Sequence, residues 1–170
     1  KPIFDYGPGI EYEKWSTAKQ FVDKATKYKS GEVIKNWDGE YWGKMSLKTA
    51  LSESRNTCAL QAFHQLDNKK IITFSNKLGM EDDLDDGVLG DWHSIGAYNG
   101  VNPVQLAAAY AAFGNGGTYH TPHSYTKIKY FENNKVVKKK ITTNKVMSEG
   151  TAYMISYVLQ NVTSYRTKVS

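Results

Sequence analysis

The sequence predicts an α+β fold that is mostly helical and carries a small antiparallel hairpin. Apolar residues recur at helical spacing after Ser46 and again after Asn102, and both of these residue types favour helix N-caps. Further along, two strand-like runs flank Asn133 and Asn134, which is a hairpin signal, and a last helix follows. This order of helices, hairpin and helix leaves too few strands for a central sheet.

The first 45 residues are predicted to be largely irregular. Gly7-Pro8-Gly9 is typical of a turn, so any helix that begins earlier is expected to stop by Tyr6. Residues 16–45 are polar and contain several glycines, which predicts a long loop with short elements inside it. Three aromatic residues of this loop are expected to be exposed: Trp37, Tyr41 and Trp42.

Ser46 is the predicted N-cap of a helix whose apolar stripe contains one serine. The members of this stripe are Leu47, Ala50, Leu51, Ser54 and Cys58. Residues 55–56 interrupt the pattern, and a second helix is predicted at about 57–66. A third helix is predicted at about 69–78, because Gly79 suits the left-handed position that follows a helix.

The clearest helix signal in the chain begins at Asn102. Asn102 is the predicted N-cap, Pro103 takes the first helical position and Gln105 can complete a reciprocal cap. The alanine-rich body is expected to end at Gly114 and to pack closely against neighbours on most sides. Residues 80–102, which precede this helix, are predicted to be loop.

The last part of the chain predicts a hairpin and one more helix. Residues 118–131 and 135–141 are the two predicted strands, and Ser148 is the predicted cap of the final helix. The apolar stripe of that helix comprises Met154, Ile155, Val158, Leu159 and Val162.

Composition limits the class of protein. The chain has 170 residues, 40% of them apolar, so it forms one domain or a large piece of one. A single cysteine excludes a disulfide scaffold and a zinc site built on several cysteines, and no apolar run is long enough to span a bilayer. The net charge of +5 is compatible with nucleic acid, a membrane surface, an anionic polymer or simple solubility. The start at Lys1 suggests a processed or excised fragment.

Ser54 and Asn56 form the first candidate site. Acyl transfer needs a hydroxyl that passes a proton to a leaving group and an amide that holds a peptide bond as donor and acceptor. The structural alternative is that Asn56 caps the next helix and that the Ser54 hydroxyl bonds to its own backbone. Lys1 joins this candidate only if a serine stands three residues before it, because an S-x-x-K pair shares one helical face.

Three further motifs are interpreted as coincidental. Residues 16–19 and 124–127 repeat the S-x-x-K spacing, the first in a loop and the second on a predicted strand. A strand sends positions i and i+3 to opposite faces, so the second pair cannot cooperate. Lys29-Ser30-Gly31 resembles a K-[ST]-G triplet but precedes Ser54 and Asn56 in the chain.

Two candidate metal sites fail on spacing. Residues 82–87 look like a calcium loop, but Leu84 and His93 would occupy two of its ligand positions, so a solvated acidic loop is the better interpretation. His120 and His123 lack a third ligand at metal spacing. No metal site is therefore predicted.

Four segments in chain order carry a resemblance to a known family. Residues 1–8 (KPIFDYGP) look like the tail of an S-T-x-K-P motif, and residues 50–56 (ALSESRN) look like an S-x-N region. Residues 108–119 (AAYAAFGNGGTY) are similar to a characteristic later segment, and residues 151–154 (TAYM) resemble a helix beyond it. Together these segments resemble the transpeptidase domain of class A penicillin-binding proteins.

The resemblance implies a fold of the serine β-lactamase and penicillin-binding transpeptidase type, with a helical lobe against an antiparallel sheet. It implies a D,D-transpeptidase that cross-links peptidoglycan stem peptides, with β-lactam antibiotics as mimics that trap the acyl-enzyme. By position, Lys1 would be the base, Ser54 would relay the proton to the leaving group and Asn56 would bind the substrate amide. No metal, organic cofactor or nucleic acid is implied, and the expected location is the outer face of the cytoplasmic membrane.

Under this resemblance, residues 1–170 are part of one transpeptidase domain, and the remainder of that domain is an expected partner. The nucleophilic serine is expected three residues before Lys1, and the K-T-G strand is expected after the last helix. Thr57 and Cys58 stand where family members often carry an apolar residue and a proline. The isolated chain is therefore expected to be inactive.

A non-catalytic function is the alternative. In a binding module, the aromatic loop and a lysine-rich hairpin would hold a glycan or an anionic polymer without chemistry, whereas the structural interpretation of the lysines is a protected strand edge. A β-lactam sensor with the same motifs is a further possibility. The lysines concerned are Lys135, Lys138, Lys139, Lys140 and Lys145.

Overall fold

The computed structural model describes residues 1–80, 88–98 and 100–166. A π-helical segment at Pro2–Tyr6 leads into the first α-helix, and a 3₁₀ helix lies at Asp91–Ile95. The α-helices are α1 (Gly7–Glu13), α2 (Leu47–Ser52), α3 (Asn56–His64), α4 (Asn68–Lys77), α5 (Pro103–Gly114) and α6 (Glu149–Arg166). The strands are β1 (Gln20–Asp23), β2 (Thr26–Lys27), β3 (Val33–Ile34), β4 (Gly43–Ser46), β5 (Thr118–His120), β6 (Lys127–Lys129), β7 (Val136–Lys138) and β8 (Thr143–Lys145).

The prediction that a helix stops by Tyr6 is wrong, because α1 begins at Gly7 and runs through the Gly-Pro-Gly sequence. Pro8 lies in the first turn of α1, where a helix does not need the missing N–H. A Cβ on Gly7 would lie 2.4 Å from the Pro2 carbonyl oxygen, and one on Gly9 would lie 2.2 Å from the Trp15 ring. These glycines therefore allow close packing rather than a turn.

The hydrophobic core joins the N-terminal helices to α3 and α4. Pro2–Tyr6 packs against both of these helices, and α1 packs against α4. The largest apolar side chains of this core are fully buried, and they include Phe4, Ile10, Ile71 and Phe74. Complete burial of each of these side chains contributes about 1.5–3 kcal/mol to the hydrophobic stabilisation. Lys1 thus sits at the end of a segment that the core holds rigidly.

Residues 20–46 form the segment that we call the strap. β1 pairs with β4 in antiparallel register from Gln20↔Ser46 to Asp23↔Gly43, and β2 pairs with β3. The side chain of Gln61 on α3 holds β1 by donating to the Val22 carbonyl oxygen over 2.7 Å. The predicted loop with short elements is therefore confirmed, and it lies against the helix that follows the candidate site.

The predicted starts of α2 to α6 agree with the structure to within one residue, although α2 ends at Ser52, earlier than predicted. The Ser46 hydroxyl accepts from the Thr49 amide, and Asn102 and Gln105 make the predicted reciprocal cap. The Ser148 hydroxyl accepts from the Thr151 amide at the start of α6. Local capping bonds thus set where these helices begin.

The expectation for the alanines of α5 is wrong on one face. Ala109 and Ala112 are buried where α5 packs against α6 and β5, whereas Ala107 and Ala111 are exposed. Tyr110, on the same helix, is also exposed. Only about half of the helix therefore has the close neighbours that its composition suggested.

Residues 118–145 form the segment that we call the arm. β6 pairs with β7 around Asn134, whose φ of 54° is left-handed, so the predicted hairpin is confirmed. The predicted strand at 118–131 is instead divided into β5 and β6, and the predicted strand at 135–141 is shortened to β7. β5 pairs with β8, which lies beyond the second predicted strand. Within the described residues, no helix is long and apolar enough to cross a membrane.

Candidate functional site

A sharp turn between α2 and α3 carries Ser54 and Asn56. α2 ends at Ser52, and Ser54 has a φ of 54°, which is unusual for a residue other than glycine. The expectation that Ser54 continues the helical stripe is therefore wrong, because the residue has left the helix. A backbone conformation of this kind costs about 1–3 kcal/mol and is most frequent at functional sites.

Lys1 reaches this turn from a position 53 residues earlier in the chain. Its Nζ donates to the Ser54 carbonyl oxygen and to Ser54 Oγ, both over 2.7 Å, and to Asn56 Oδ1 over 2.6 Å. An ammonium group has three N–H donors, so these acceptors match its full capacity. All three residues are half-buried. The three sequence-predicted site residues therefore meet in one place.

The Asn56 side chain is oriented by two partners. Its Oδ1 accepts from Lys1, and its Nδ2 donates to the Lys35 carbonyl oxygen in the strap over 2.8 Å. The N-cap of α3 is Arg55, which makes no capping bond with its side chain. The interpretation of Asn56 as a simple cap of its own helix is therefore wrong, because both of its side-chain ends face other segments.

Arg55 and Asp23 form a buried ion pair beneath the turn. Arg55 Nε donates to Asp23 Oδ2 over 2.8 Å, and both side chains are fully buried. Arg55 Nη1 donates to Asp38 Oδ2 over 2.6 Å, and the guanidinium lies 4.3 Å from the centre of the Trp42 ring. Because a buried charge is costly without partners, this network ties the residue between Ser54 and Asn56 to the strap.

The Asp23 carboxylate is stabilised in its charged form. Burial alone raises its pKa, whereas hydrogen bonds from the Thr57 hydroxyl, the Trp42 amide and Asn36 lower it. The charge of Arg55 lowers it further, and the net result is a pKa below the usual value for aspartate. Asp23 therefore stays negative and can anchor its donors at neutral pH.

The role of Asp23 is not evident from any motif in the sequence. In β1 the buried positions alternate with exposed ones, and Asp23 falls on the same buried side as Phe21. A charged residue at a core position of a strand needs a buried partner, and that rule would have pointed to it. The alternation of buried and exposed positions along β1 was thus the signal that could have identified Asp23 as a buried charge.

Cys58 lies close to the site but is chemically quiet. Its side chain is fully buried on α3, and burial followed by the negative charge of Asp23 raises the pKa of the thiol to about 11. The thiol therefore stays protonated and is a poor nucleophile at neutral pH.

The coincidental motifs remain apart from this site. Lys29-Ser30-Gly31 forms a tight turn, in which the Gly31 amide donates to the Tyr28 carbonyl oxygen over 2.9 Å. The Lys19 Nζ lies 4.5 Å from the centre of the Trp15 ring. Within the described part of the chain, no three histidine, cysteine or acidic residues are grouped as metal ligands, and residues 82–87 lie outside it.

The aromatic loop is exposed as expected, and it borders the site. Trp37 is exposed, and its Nε1 donates to the Glu53 carbonyl oxygen over 3.1 Å, directly before Ser54. Tyr41 and Trp42 are exposed beside it. The rim of the site is thus aromatic.

The chain resembles a known protein family and members of that family along almost its whole length. It matches the family described as penicillin binding protein transpeptidase domain over residues 1–169. Penicillin-binding protein 1A/1B of Bacillus subtilis (strain 168) is 41% identical over 165 residues, which cover 94% of this chain and 18% of that protein. Penicillin-binding protein 1A of Streptococcus pneumoniae (strain ATCC BAA-255 / R6) is 33% identical over 172 residues, which cover 98% of this chain and 24% of that protein. The chain thus spans less than a quarter of the length of these two relatives.

Solved structures confirm the predicted α+β fold. Penicillin-binding protein 1A from Haemophilus influenzae has a TM-score of 0.82 at 20% identity, and the match covers 100% of this chain and 30% of that one. Penicillin-binding protein A from M. tuberculosis was solved as an imipenem acyl-enzyme complex and has a TM-score of 0.82 at 14% identity. This match covers 98% of this chain and 43% of that one. With the sequence match over residues 1–169, the chain belongs to the penicillin-binding protein transpeptidase domain family.

Proposed function

We propose that residues 1–170 supply the lysine and S-x-N parts of a D,D-transpeptidase site that cross-links peptidoglycan stem peptides. The observation that carries this proposal is the contact of Lys1 Nζ with Ser54 Oγ and Asn56 Oδ1 at 2.6–2.7 Å. In the longer protein, the nucleophilic serine stands three residues before Lys1, and a K-T-G strand of the same domain closes the cleft. The remainder of the domain is therefore an obligatory partner.

The proposed reaction is acyl transfer in two steps. After the Lys1 ammonium group has lost a proton to water, the serine hydroxyl attacks the carbonyl carbon of the D-Ala-D-Ala bond, and the Lys1 amine accepts the hydroxyl proton. Ser54 then passes a proton to the leaving D-alanine nitrogen and recovers one from Lys1, with which it already shares a hydrogen bond. An amine from a neighbouring stem peptide then attacks the acyl carbon and forms the cross-linking amide bond. The ester bond to the serine breaks, and the proton that the amine loses returns to the serine oxygen through Ser54 and Lys1.

Asn56 is the proposed substrate-binding residue. The Nδ2 group has two hydrogens, and the Lys35 carbonyl oxygen accepts one of them. The second hydrogen is suited to the amide oxygen of the acyl-donor peptide. Since Lys1 holds Oδ1, the amide cannot flip without losing a bond to a charged group, and the donor stays oriented.

β-Lactams are the proposed mimics of the acyl-donor peptide. Their strained amide would acylate the same serine, and the penicillin-binding protein A structure from M. tuberculosis is described as an imipenem acyl-enzyme complex. We place the activity at the outer face of the cytoplasmic membrane, where peptidoglycan is cross-linked, and we assign it no cofactor or nucleic acid partner.

Fluorescent penicillin labelling tests this proposal. The longer protein should become labelled, whereas residues 1–170 alone should not. In the longer protein, Lys1→Ala should lower the acylation rate about 10²–10⁴-fold, the usual contribution of a general base. Lys19→Ala is the matched control, because Lys19 also ends an S-x-x-K sequence but lies over the Trp15 ring.

Three results would contradict the proposal. They are stable labelling of the isolated chain, no labelling of the longer protein, and equal rates for the Lys1 and Lys19 variants. A D-Ala-D-Ala peptide with an acceptor amine separates transpeptidase from sensor, because a sensor would take the penicillin label without forming the cross-linked product. The binding-module alternative is not favoured by the penicillin-binding names of the relatives.

A further inference from the structure

Asn36 is a buried strap residue with a side chain that is bonded at both ends. It lies between β3 and β4 and is only 4% exposed. Its Oδ1 accepts from the Asn56 amide over 2.8 Å and from the Thr57 amide over 3.4 Å. Its Nδ2 donates to Asp23 Oδ1 over 2.7 Å and to the Glu40 carbonyl oxygen over 2.9 Å. A single side chain thus links the start of α3 to the strap.

The bond to the Asn56 amide replaces a missing helix cap. The first N–H groups of a helix have no acceptor within the helix, and they need one from elsewhere. Arg55 occupies the N-cap position of α3 without a capping bond from its side chain. Asn36, 20 residues earlier, supplies the acceptor instead. The position of the first turn of α3 therefore depends on the strap.

The other end of Asn36 is anchored in the buried ion network. Asp23 receives the Asn36 amide on one oxygen and the Arg55 guanidinium on the other. Arg55 directly precedes Asn56, and Thr57, whose hydroxyl donates to the same carboxylate, directly follows it, so Asp23 holds both neighbours of Asn56. The strap also accepts the Asn56 side chain through the Lys35 carbonyl oxygen.

We propose that Asn36 is a positioning residue. It holds Asn56 where the Asn56 Oδ1 atom accepts a hydrogen bond from Lys1 Nζ and the Asn56 Nδ2 group can donate one to the acyl-donor peptide. This inference rests on the proposed function, and it assigns Asn36 no contact with the reacting atoms. The distance between Lys1 Nζ and Asn56 Oδ1 is 2.6 Å, and a shift of the Asn56 side chain by about 1 Å would break this hydrogen bond. Misplacement on that scale can lower an enzymatic rate about 100-fold.

Asn36→Ala in the longer protein is the first test. We expect the rate of acylation by fluorescent penicillin to fall about 10- to 100-fold, because both the cap and its anchor are lost. Asn102→Ala is the matched control, since Asn102 also caps a helix with its side chain but does so at α5. The control should acylate at the wild-type rate. A wild-type rate for Asn36→Ala, or an equal fall for both variants, would overturn the assignment.

Asn36→Asp separates positioning from a general loss of structure. The introduced carboxyl can still accept from the Asn56 amide, but in its charged form it cannot donate to Asp23 and instead repels it. When it is protonated, it recovers one donor. We therefore expect the rate relative to wild type at the same pH to rise as the pH falls from 8 to about 5. A ratio that stays flat or falls with decreasing pH counts against the proposal.

Hydrogen–deuterium exchange distinguishes failure of this inference from failure of the proposed function. In Asn36→Ala the amides of Asn56 and Thr57 should exchange faster than in wild type, whereas in Asn102→Ala they should not. If wild type takes no penicillin label, the proposed function fails, and the exchange data still decide whether Asn36 holds the turn. Unchanged exchange at both amides would refute that role directly.

Discussion

The strap and the arm are built alike but are held very differently. Each contains two pairs of short antiparallel strands, and each is rich in charged and aromatic residues. The strap buries Asp23 and Asn36 and bonds them to the turn that carries the candidate site. In the arm nearly every residue from 121 to 145 is exposed, and Phe131 is 99% exposed.

The difference shows that composition does not reveal which polar loop is structural. Lysines on the arm stay exposed to water, so they do not require buried partners. In the strap most charged side chains are also exposed, but the Asp23 carboxylate is removed from water, and a buried charge requires a partner in a defined position. Buried charge thus makes the strap a rigid support, and the following predictions test that contrast.

Arg55→Ala should give the largest effect on stability. It leaves the buried Asp23 carboxylate without its ionic partner, and breaking such a pair costs about 3–5 kcal/mol of unfolding free energy. Urea unfolding monitored by tryptophan fluorescence measures this loss of unfolding free energy. Lys138→Ala in the arm is the control and should change the unfolding free energy by less than about 0.5 kcal/mol. Similar losses for the two variants would remove the distinction between strap and arm.

Asn56→Ala should impair acylation in the longer protein more than it affects folding. A hydrogen bond to a charged or polarised group contributes about 1.5–3 kcal/mol, which corresponds to roughly 10- to 150-fold in the acylation rate. Stopped-flow acylation by a chromogenic β-lactam provides the measurement. Asn144→Ala, in strand β8 of the arm, is the matched control. Unchanged acylation kinetics for Asn56→Ala would remove Asn56 from the site.

Asp91→Asn should reveal a pH-dependent anchor of the strap. Burial alone raises the pKa of the Asp91 carboxyl, but the Lys29 amide in the strap and the side chain of His64 on α3 outweigh it and lower the pKa. Stability from a carboxyl with a lowered pKa is present above its unfolded-state pKa of about 3.9 and is lost as the pH falls through the folded-state value.

The variant should therefore lose about 1 kcal/mol of unfolding free energy at pH 7, and this gap should narrow as the pH falls below about 4. Urea unfolding of Asp91→Asn and wild type between pH 7 and pH 3 measures it. A gap that stays constant over this range would show that the charge of Asp91 does not anchor the strap.

Phe131→Ser should have the smallest effect. The side chain is 99% exposed in the arm, so its removal should change the unfolding free energy by less than about 0.5 kcal/mol. Thermal unfolding of the variant beside wild type is sufficient to measure this. A loss above 1 kcal/mol would mean that the arm packs against another part of the protein.

Part of the fold was predictable because its signals are local. Ser46, Asn102 and Ser148 were predicted as caps from their own neighbourhoods, and each accepts the expected amide. Gly7 and Gly9 misled the prediction for an equally physical reason. A glycine serves either a turn or a close contact, and only the neighbours at Pro2 and Trp15 decide which.

The three residues of the candidate site were predicted from the sequence, but the residues that hold them in position were not. Lys1, Ser54 and Asn56 follow from motif resemblance, and the structure brings them within hydrogen-bond distance. Asn36 has no motif at the level of this single sequence, and its importance appears only through its partners. The left-handed conformation of Ser54 was likewise missed, since the apolar stripe before it favoured a continuous helix.

The sequence by itself determined the helices, their caps, the hairpin turn and the identity of the three residues that meet. The helices, caps and turn depend on hydrogen bonds and side-chain periodicity within a few positions of the chain, whereas the three residues follow from the resemblance of their motifs to a known family. Only the tertiary structure decided that Lys1 reaches across 53 residues to Ser54 and that Asp23, Asn36 and Arg55 are buried as partners. The reason is that a buried charge is stable only beside a complementary group, and that group comes from a distant part of the chain.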